Sequence, residues 1–469
     1  MKNIINRLKE FMESEAFIIV LFLISMMSFF INSVYPAFYT IALVMILFGI
    51  TNANCSCGIG LLALWTSSSQ GYDDTIDIFS PVFIILFIFL VLGGVSITYR
   101  IIKNKSMSDI LNKLKKNWIM YSMISIILAM AISLINTPAM QLSLVGGGNY
   151  LITLAIFLAV SLKYGDLEDT RRKTLNSIIY YGFMISIEAF YKFGILLYEG
   201  KGFADVIREK ALDLGWAVSN HWAVLINLAL FTAFYQFLNA KTKGRKIFNY
   251  ISMILFIGVV LITGCRGAYI GLAVSFIAFI GYYIYFIKKN NSYPWKKDMY
   301  YFGGILGIAV LGIIGLWASG YLSKILSDLT NTEGSIQNGR DVVWNIAVKK
   351  FKEHWFIGAG NNTGSYFINK ETGGWWNYRY YHNHYLQMLA TCGIVGAVAF
   401  TSYLVTSILR CIRKEEYSLF VLIIILYFLV HGALDTLYFN TCLEPVLVIL
   451  LALIPLEKKK KEEYAVIDM

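Results

Sequence analysis

"RGAYIGLAVSFIAFIGYYIYFIKK", residues 266–289, decides what kind of fold this chain adopts. From Gly267 to Ile287 no side chain is charged, and at about 1.5 Å per residue in a helix the run covers a hydrocarbon core about 30 Å thick. Apolar and polar residues do not alternate along it, which excludes a barrel strand. Lys288 and Lys289 close the run and Arg266 opens it, so both ends are marked by cations.

Similar runs recur along the chain. Beyond the N-terminal region they fall near residues 80–99, 118–136, 150–163, 175–198, 220–239, 247–263, 267–287, 300–319, 384–410, 417–434 and 443–456. The composition agrees: 57% hydrophobic and 15% charged residues, with a mean hydropathy of +0.61, describe an integral membrane protein. The expected fold is an all-α, polytopic helical bundle of about 12–14 transmembrane helices with one large extracytoplasmic loop. Residues 16–66 show two clear spans where a cytoplasmic N-terminus requires an odd number. The N-terminus itself has a charged start, an apolar run and no small-x-small cleavage site, and reads as an uncleaved first span.

Basic residues collect in short clusters between the runs: Arg100 to Lys116, Arg171 to Lys173, Lys241 to Lys246, Lys288 to Lys297, Arg410 to Lys414 and Lys458 to Lys461. With alternating spans all six fall on one side, which the positive-inside rule makes the cytoplasm. The net charge of +11 is therefore a topological signal, and no nucleic-acid partner is expected. The long hydrophilic segment at about 320–382 then lies on the outer face. A shorter outer segment, Glu199 to Ser219, has the mixed pattern of an amphipathic interfacial stretch.

The six cysteines, including the Cys55–Cys57 pair, lack zinc-site spacing or a disulfide framework and read as small packed residues. Charges inside apolar runs need a reason. Glu188 and Lys192 stand four apart, where an ion pair in the bundle interior or a role in a polar cavity accounts for them. Arg266 has no acidic neighbour at helical spacing and sits at the outer membrane face between two spans. Gly264, Gly267 and Gly271 beside it permit close approach by a helix or a ligand. Arg266 either snorkels to headgroups or forms an anion site, for which its fork of donors suits a phosphate.

In the outer loop, "GRDVVWNIAVKKFKEHWFIGAG" reads as an amphipathic helix from near Asn338 or Asp341 to a turn at Gly358 and Gly360. It places Arg340 at the helix start, where backbone N–H groups favour an anion; a solvated arginine is the other reading. "HNHY" follows at the mouth of the next run. His382 and His384 could form a metal pair, but no carboxylate or cysteine stands at useful spacing. A neutral histidine at a membrane surface can act as general base or position a hydroxyl. The neighbouring Trp375, Trp376, Tyr378, Tyr380 and Tyr381 form an interfacial aromatic belt or stacking platforms for sugars.

Three of these stretches, "TGCRGA", "GRDVVWNIAVKKFKEHWFIGAGNN" and "HNHYLQMLATCGIVGA", resemble in order and spacing the bacterial O-antigen ligase and O-antigen or capsule polymerase superfamily, the Wzy-like proteins. The likeness covers residues 249–410 and divides the chain into an N-terminal transmembrane region 1–248, a family core 249–410 with the outer loop 320–383, and C-terminal helices with a basic tail 411–469. It implies a GT-C-like fold and an inverting, metal-independent membrane glycosyltransferase without a cofactor. The substrate it implies is an undecaprenyl-diphosphate-linked oligosaccharide at the outer face of the bacterial cytoplasmic membrane. Carried over, Arg266 matches the arginine after the family's TG-S motif, with Cys265 in place of serine. Arg340 matches the arginine that opens the loop helix, and His382 the histidine of H-N-x-Y-L-Q. His384 occupies the variable position and receives no role, and "HWFIGAG" lacks the common proline.

Arg266 and Arg340 are thus expected to bind the diphosphate and His382 the acceptor hydroxyl, with Asn383, Trp344 and Tyr385 as substrate contacts. Abundant Ile, Lys, Asn and Tyr suggest an AT-rich genome and favour a capsule or exopolysaccharide repeat-unit polymerase over a ligase acting on a lipid or protein acceptor. A transporter or flippase would instead concentrate ionisable residues near mid-bilayer. Neighbouring genes for a flippase, glycosyltransferases and a chain-length regulator would support the polymerase and name its expected partners.

Overall fold

The computed structural model describes residues 2–51, 53, 58–68, 107–163, 166–208, 212–290, 293–318, 339–375, 379–412 and 415–456, with isolated positions between 88 and 103. The expected span at 80–99, the Cys55–Cys57 pair, Trp376, Tyr378 and the tail cluster Lys458 to Lys461 fall wholly or mostly outside these residues. Every regular element among the described residues is a helix. In chain order they are α1 (Lys2–Met12), α2 (Glu15–Phe30), α3 (Tyr35–Thr51), α4 (Gly58–Ser68), α5 (Met107–Lys115), α6 (Trp118–Ser133), α7 (Met140–Lys163), α8 (Leu167–Tyr198) and α9 (Phe203–Arg208). There follow α10 (Ser219–Leu238), α11 (Lys243–Ile262), α12 (Arg266–Lys289), α13 (Trp295–Ala318), α14 (Arg340–Glu353), α15 (Gly364–Thr372), α16 (His384–Cys411), α17 (Glu416–Gly432) and α18 (Glu444–Ala452).

Seven of the described helices are long and apolar enough to cross a membrane: α6 with its short continuation, α7, α8, α10, α11, α12 and α16. The pair α1 and α2, bent by 68°, adds an eighth if counted as one span, and α3 and α17 are shorter apolar helices. This count is of the described residues: the expected span at 80–99 lies mostly outside them, and Tyr35–Thr51, Glu416–Gly432 and Glu444–Ala452 are helices under 18 residues. The protein is an all-α polytopic membrane protein.

Contacts fix which helix ends lie together. At one end Arg171 donates to the Leu453 carbonyl (3.0 Å), Arg410 to Asn117 (3.0 Å), Lys289 to Glu416 (2.9 Å) and Arg172 to Glu15 (3.0 Å). These contacts bring the described residues of the clusters at 171–173, 288–297 and 410–414, with Asn117 after the one at 100–116, to one basic end. At the opposite end the connections after α6, α12's start, the loop after α14, and the α17–α18 connection meet, as detailed below.

One sequence expectation is corrected here. Glu188 does not pair with Lys192: its Oε2 accepts the indole N–H of Trp216 (2.9 Å), while the Lys192 ammonium lies 6.0 Å over the Phe29 ring. Burial of the carboxyl on one side of α8 favours a neighbouring donor inside the bundle over a lysine nearer its surface. The described part of the 199–219 segment turns most of its apolar residues inward. Val206, Ile207, Leu212, Leu214 and Trp216 are buried in the protein core.

Helix α16 is not continuous. Gly393 has φ +64° and ψ −159°, which interrupts the helix inside the apolar run. The turn after α14 fills the break with its own backbone. Ala359 and Gly360 donate to the carbonyls of Ala390 and Thr391 (2.9 and 3.1 Å), and Ile394 and Val395 donate to Trp355 and Phe356 (2.9 and 3.2 Å). The polar groups freed by the break are thus satisfied by protein, as backbone at membrane depth requires. Next along the chain, Asn361 and Asn362 clamp the same turn to the α6–α7 connection. Asn361 N–H donates to Ser133 Oγ (3.0 Å), Ser143 Oγ to the Asn361 carbonyl (2.6 Å), Asn362 Nδ2 to Leu142 (3.0 Å), and Asn136 Nδ2 to Gly358 (2.9 Å). The turn after α14 is thereby locked to the bundle on two sides.

Candidate functional site

His382 sits just before α16 with its backbone in the left-handed region (φ +50°), a conformation histidine adopts more readily than most residues. Its Nδ1 lies 2.9 Å from Asp435 Oδ1. Asp435 is 1% exposed in the α17–α18 connection; Oδ1 also accepts Thr436 N–H (2.7 Å) and Oδ2 accepts the Asn220 amide (2.6 Å). Burial alone would raise this carboxyl, but the His382 hydrogen bond and charge outweigh it and hold Asp435 well below the usual carboxylate range. An ionised Asp435 fixes the histidine proton on Nδ1, which leaves Nε2 as the basic nitrogen.

A second buried chain runs from α10 through α17 to the start of α12. Asn227 Nδ2 donates to Tyr427 Oη (2.9 Å), and Tyr427 O–H pairs with His431 Nδ1 (3.0 Å). His431 Nε2 then faces Cys265 Sγ at 3.8 Å. Cys265 is the N-cap of α12, its sulfur accepting Ala268 N–H at 3.4 Å, and Arg266 is the first residue of that helix. A cysteine thus serves as the cap of this helix. The glycines beside Arg266 admit a neighbouring helix: a Cβ on Gly267 would lie 2.6 Å from His431, and one on Gly271 2.8 Å from Tyr427. Close contact of α12 with α17 brings Arg266 to the same end as Asp435, one helical turn beyond His431.

Arg340 opens α14, preceded by Gly339 at φ +70°. Val343, Ile346 and Ala347 on this helix form one cluster with Phe367, Ile368, Ala390 and Tyr381, the residue before His382. Lys350 pairs with Glu353 (2.8 Å) and Glu371 (2.9 Å), and Lys349 with Glu371 (2.8 Å), tying α14 to α15. These hydrogen bonds hold the Glu371 carboxyl below its ordinary value. Trp344 packs against the cluster with its indole N–H buried and without a partner among the described residues.

The other residues of the histidine segment have separate tasks. Asn383 caps α16, Oδ1 accepting from Tyr385 and Leu386 N–H (3.0 Å each) and Nδ2 donating to Ala433 (3.0 Å), so its whole amide is engaged within the protein. Tyr385 O–H donates to Leu429 (3.2 Å). His384 is fully buried among Tyr385, Phe400 and Tyr438, with neither ring nitrogen hydrogen-bonded. It is a core residue, apart from His382. The sequence reading passed over Asp435, Asn220 and His221. "HGALD", residues 431–435, held the signal: a carboxylate four residues after a histidine at the end of an apolar run.

Such a bundle, with ionisable groups gathered at the end opposite the basic clusters, defines a multi-pass membrane protein with a polar site at one face. Residues 251–401, about a third of the chain, match the family model described as O-antigen ligase. The match runs from α11 into α16 and contains Arg266, Arg340 and His382, whereas Asn220, His221 and Asp435 lie outside it. No curated protein matches the chain.

Proposed function

We propose that the protein polymerises polysaccharide repeat units, transferring glycan from an undecaprenyl-diphosphate carrier at the outer face of the bacterial cytoplasmic membrane. The observation that carries this reading is the 2.9 Å contact between His382 Nδ1 and Asp435 Oδ1, which gives the family histidine a fixed tautomer and a basic Nε2. In the reaction His382 Nε2 takes the proton of the acceptor hydroxyl while its oxygen attacks the anomeric carbon. The bond from that carbon to the diphosphate oxygen breaks, its electron pair leaves on the diphosphate, and one displacement inverts the anomeric centre. Arg266 and Arg340 meet the charge that develops on the leaving group, each at the first residue of a helix, where backbone N–H groups add to the attraction. Asn383 acts by holding the start of α16, and Trp344, whose indole N–H has no partner among the described residues, offers that donor to a sugar. Composition favours the polymerase over the ligase.

Reconstitution with defined lipid-linked repeat units tests the reading. Elongation on the carrier is the expected result. Transfer only to an added lipid or protein acceptor would make the protein a ligase, and translocation of the lipid-linked unit without transfer would make it a transporter.

A further inference from the structure

His221, the third residue of α10, is held in the opposite tautomer to His382, and hydrogen bonds within the protein fix this. Asn440 Oδ1 accepts the backbone N–H of Cys442 (2.8 Å), so the amide orientation of Asn440 is determined and its Nδ2 is the group that faces His221 Nδ1 at 3.3 Å. Nδ2 donates; Nδ1 must accept. The proton of neutral His221 is therefore on Nε2. His382 donates from Nδ1 to Asp435 and keeps a basic Nε2, whereas His221 accepts at Nδ1 and presents an Nε2–H donor.

The two rings share one neighbourhood. Asn220, next to His221, donates to Asp435 Oδ2 at 2.6 Å while His382 occupies Oδ1 of the same carboxylate at 2.9 Å. His221 lies within electrostatic range of Asp435, His382 and Arg379, and it is only partly buried, unlike the fully buried His384. The Asn440 contact anchors its Nδ1 edge to the α17–α18 connection, so Nδ1 is engaged within the protein and Nε2 is the nitrogen that carries the proton.

We infer that His221 binds the saccharide: its Nε2–H donates a hydrogen bond to a sugar oxygen beside the hydroxyl that His382 deprotonates. This rests on the proposed transferase reading and adds a binding residue to it. One site then offers an acceptor nitrogen and a donor nitrogen, the pairing that a sugar diol requires, since each hydroxyl both gives and takes a hydrogen bond. The oxygen belongs either to the donor glycan or to the acceptor glycan, and kinetics separates the two.

The test compares purified wild type, His221→Leu and His221→Gln, measuring direct binding of a synthetic polyprenyl-diphosphate oligosaccharide, KM and kcat with donor and acceptor varied in turn, and Tm. A neutral hydrogen bond contributes about 3- to 10-fold. His221→Leu should raise KM by that factor for one of the two glycans with kcat nearly unchanged, and His221→Gln, which retains a donor, should recover most of it. A donor-side contact also weakens direct binding; an acceptor-side contact leaves it intact. The inference is overturned if His221→Leu changes only Tm, or if Gln and Leu behave alike. Absence of transfer by the wild type would instead count against the transferase reading, with the binding measurement still reporting on His221.

Discussion

Gly358 and Gly393 occupy the space that each other's neighbourhood would need for side chains. A Cβ on Gly358 would lie 2.3 Å from the backbone of Thr391 and Cys392, and one on Gly393 2.4 Å from the Phe356 carbonyl oxygen. Both have positive φ, and Gly393 at φ +64°, ψ −159° is in a region reserved for glycine. Gly393→Ala should therefore cost at least ~2 kcal/mol through backbone strain alone, with overlap added. A lowered Tm in detergent and poor accumulation of Gly393→Ala and Gly358→Ala are expected. Wild-type Tm for both would mean the loop is not seated in the break.

Asp435→Asn keeps the size of the side chain and removes the charge that orders His382. The carboxyl is depressed in the folded state, so the stability it contributes is present above the unfolded carboxylate value and is lost as pH falls through the folded one. At neutral pH Asp435 is ionised, and the variant loses that state. Turnover should fall on the order of 10²- to 10⁴-fold, because an amide no longer selects the tautomer with a basic Nε2. Near-normal turnover would separate Asp435 from catalysis.

The helices were legible because membrane-spanning runs announce themselves by length, and the loop helix and its Gly358–Gly360 turn by periodicity and glycine spacing. The break in α16 was not: "MLATCGIVGAVAF" is uniformly apolar, and Gly393 in it looks like any packing glycine until another backbone is placed against it. Half of the candidate site was legible for a similar reason. His382, Arg266 and Arg340 stand in quotable motifs, while Asn220, His221 and Asp435 sit at ends of otherwise ordinary apolar helices and reach the site only through tertiary packing. Glu188 misled because helical spacing cannot report a tryptophan donated from another segment.

Lys246 and Asp298 link α11 and α13 near the basic end. The Lys246 ammonium contacts Asp298 and lies 4.7 Å over the Phe237 ring, and Tyr293 O–H donates to Asp298 (2.6 Å), a carboxylate with no exposed surface. Lys246→Met leaves that charge buried and should destabilise by about 3 kcal/mol, whereas the double variant Lys246→Met/Asp298→Leu should recover much of the loss. Thermal unfolding of the three proteins checks this; equal Tm for the single and double variants would contradict it.

Arg266→Ala and His382→Ala should each abolish high-molecular-weight polysaccharide while the protein still accumulates in the membrane. Arg266→Lys is the sharper variant. A lysine keeps the charge but not the fork, so partial activity points to bidentate binding of the diphosphate and full activity to charge alone. Normal polymer ladders from both alanine variants would remove Arg266 and His382 from the site.

The proposed reaction also makes a statement about divalent cations. Departure of a diphosphate needs about two positive groups near its oxygens, and two guanidiniums supply permanent charge without a bound ion. Elongation of lipid-linked repeat units by the purified protein should accordingly persist in EDTA at an unchanged rate, and Arg340→Ala should lose activity that added Mg²⁺ does not return. Strict dependence on Mg²⁺ or Mn²⁺, or rescue of Arg340→Ala by either, would assign the diphosphate to a metal and leave the arginines to position the carrier.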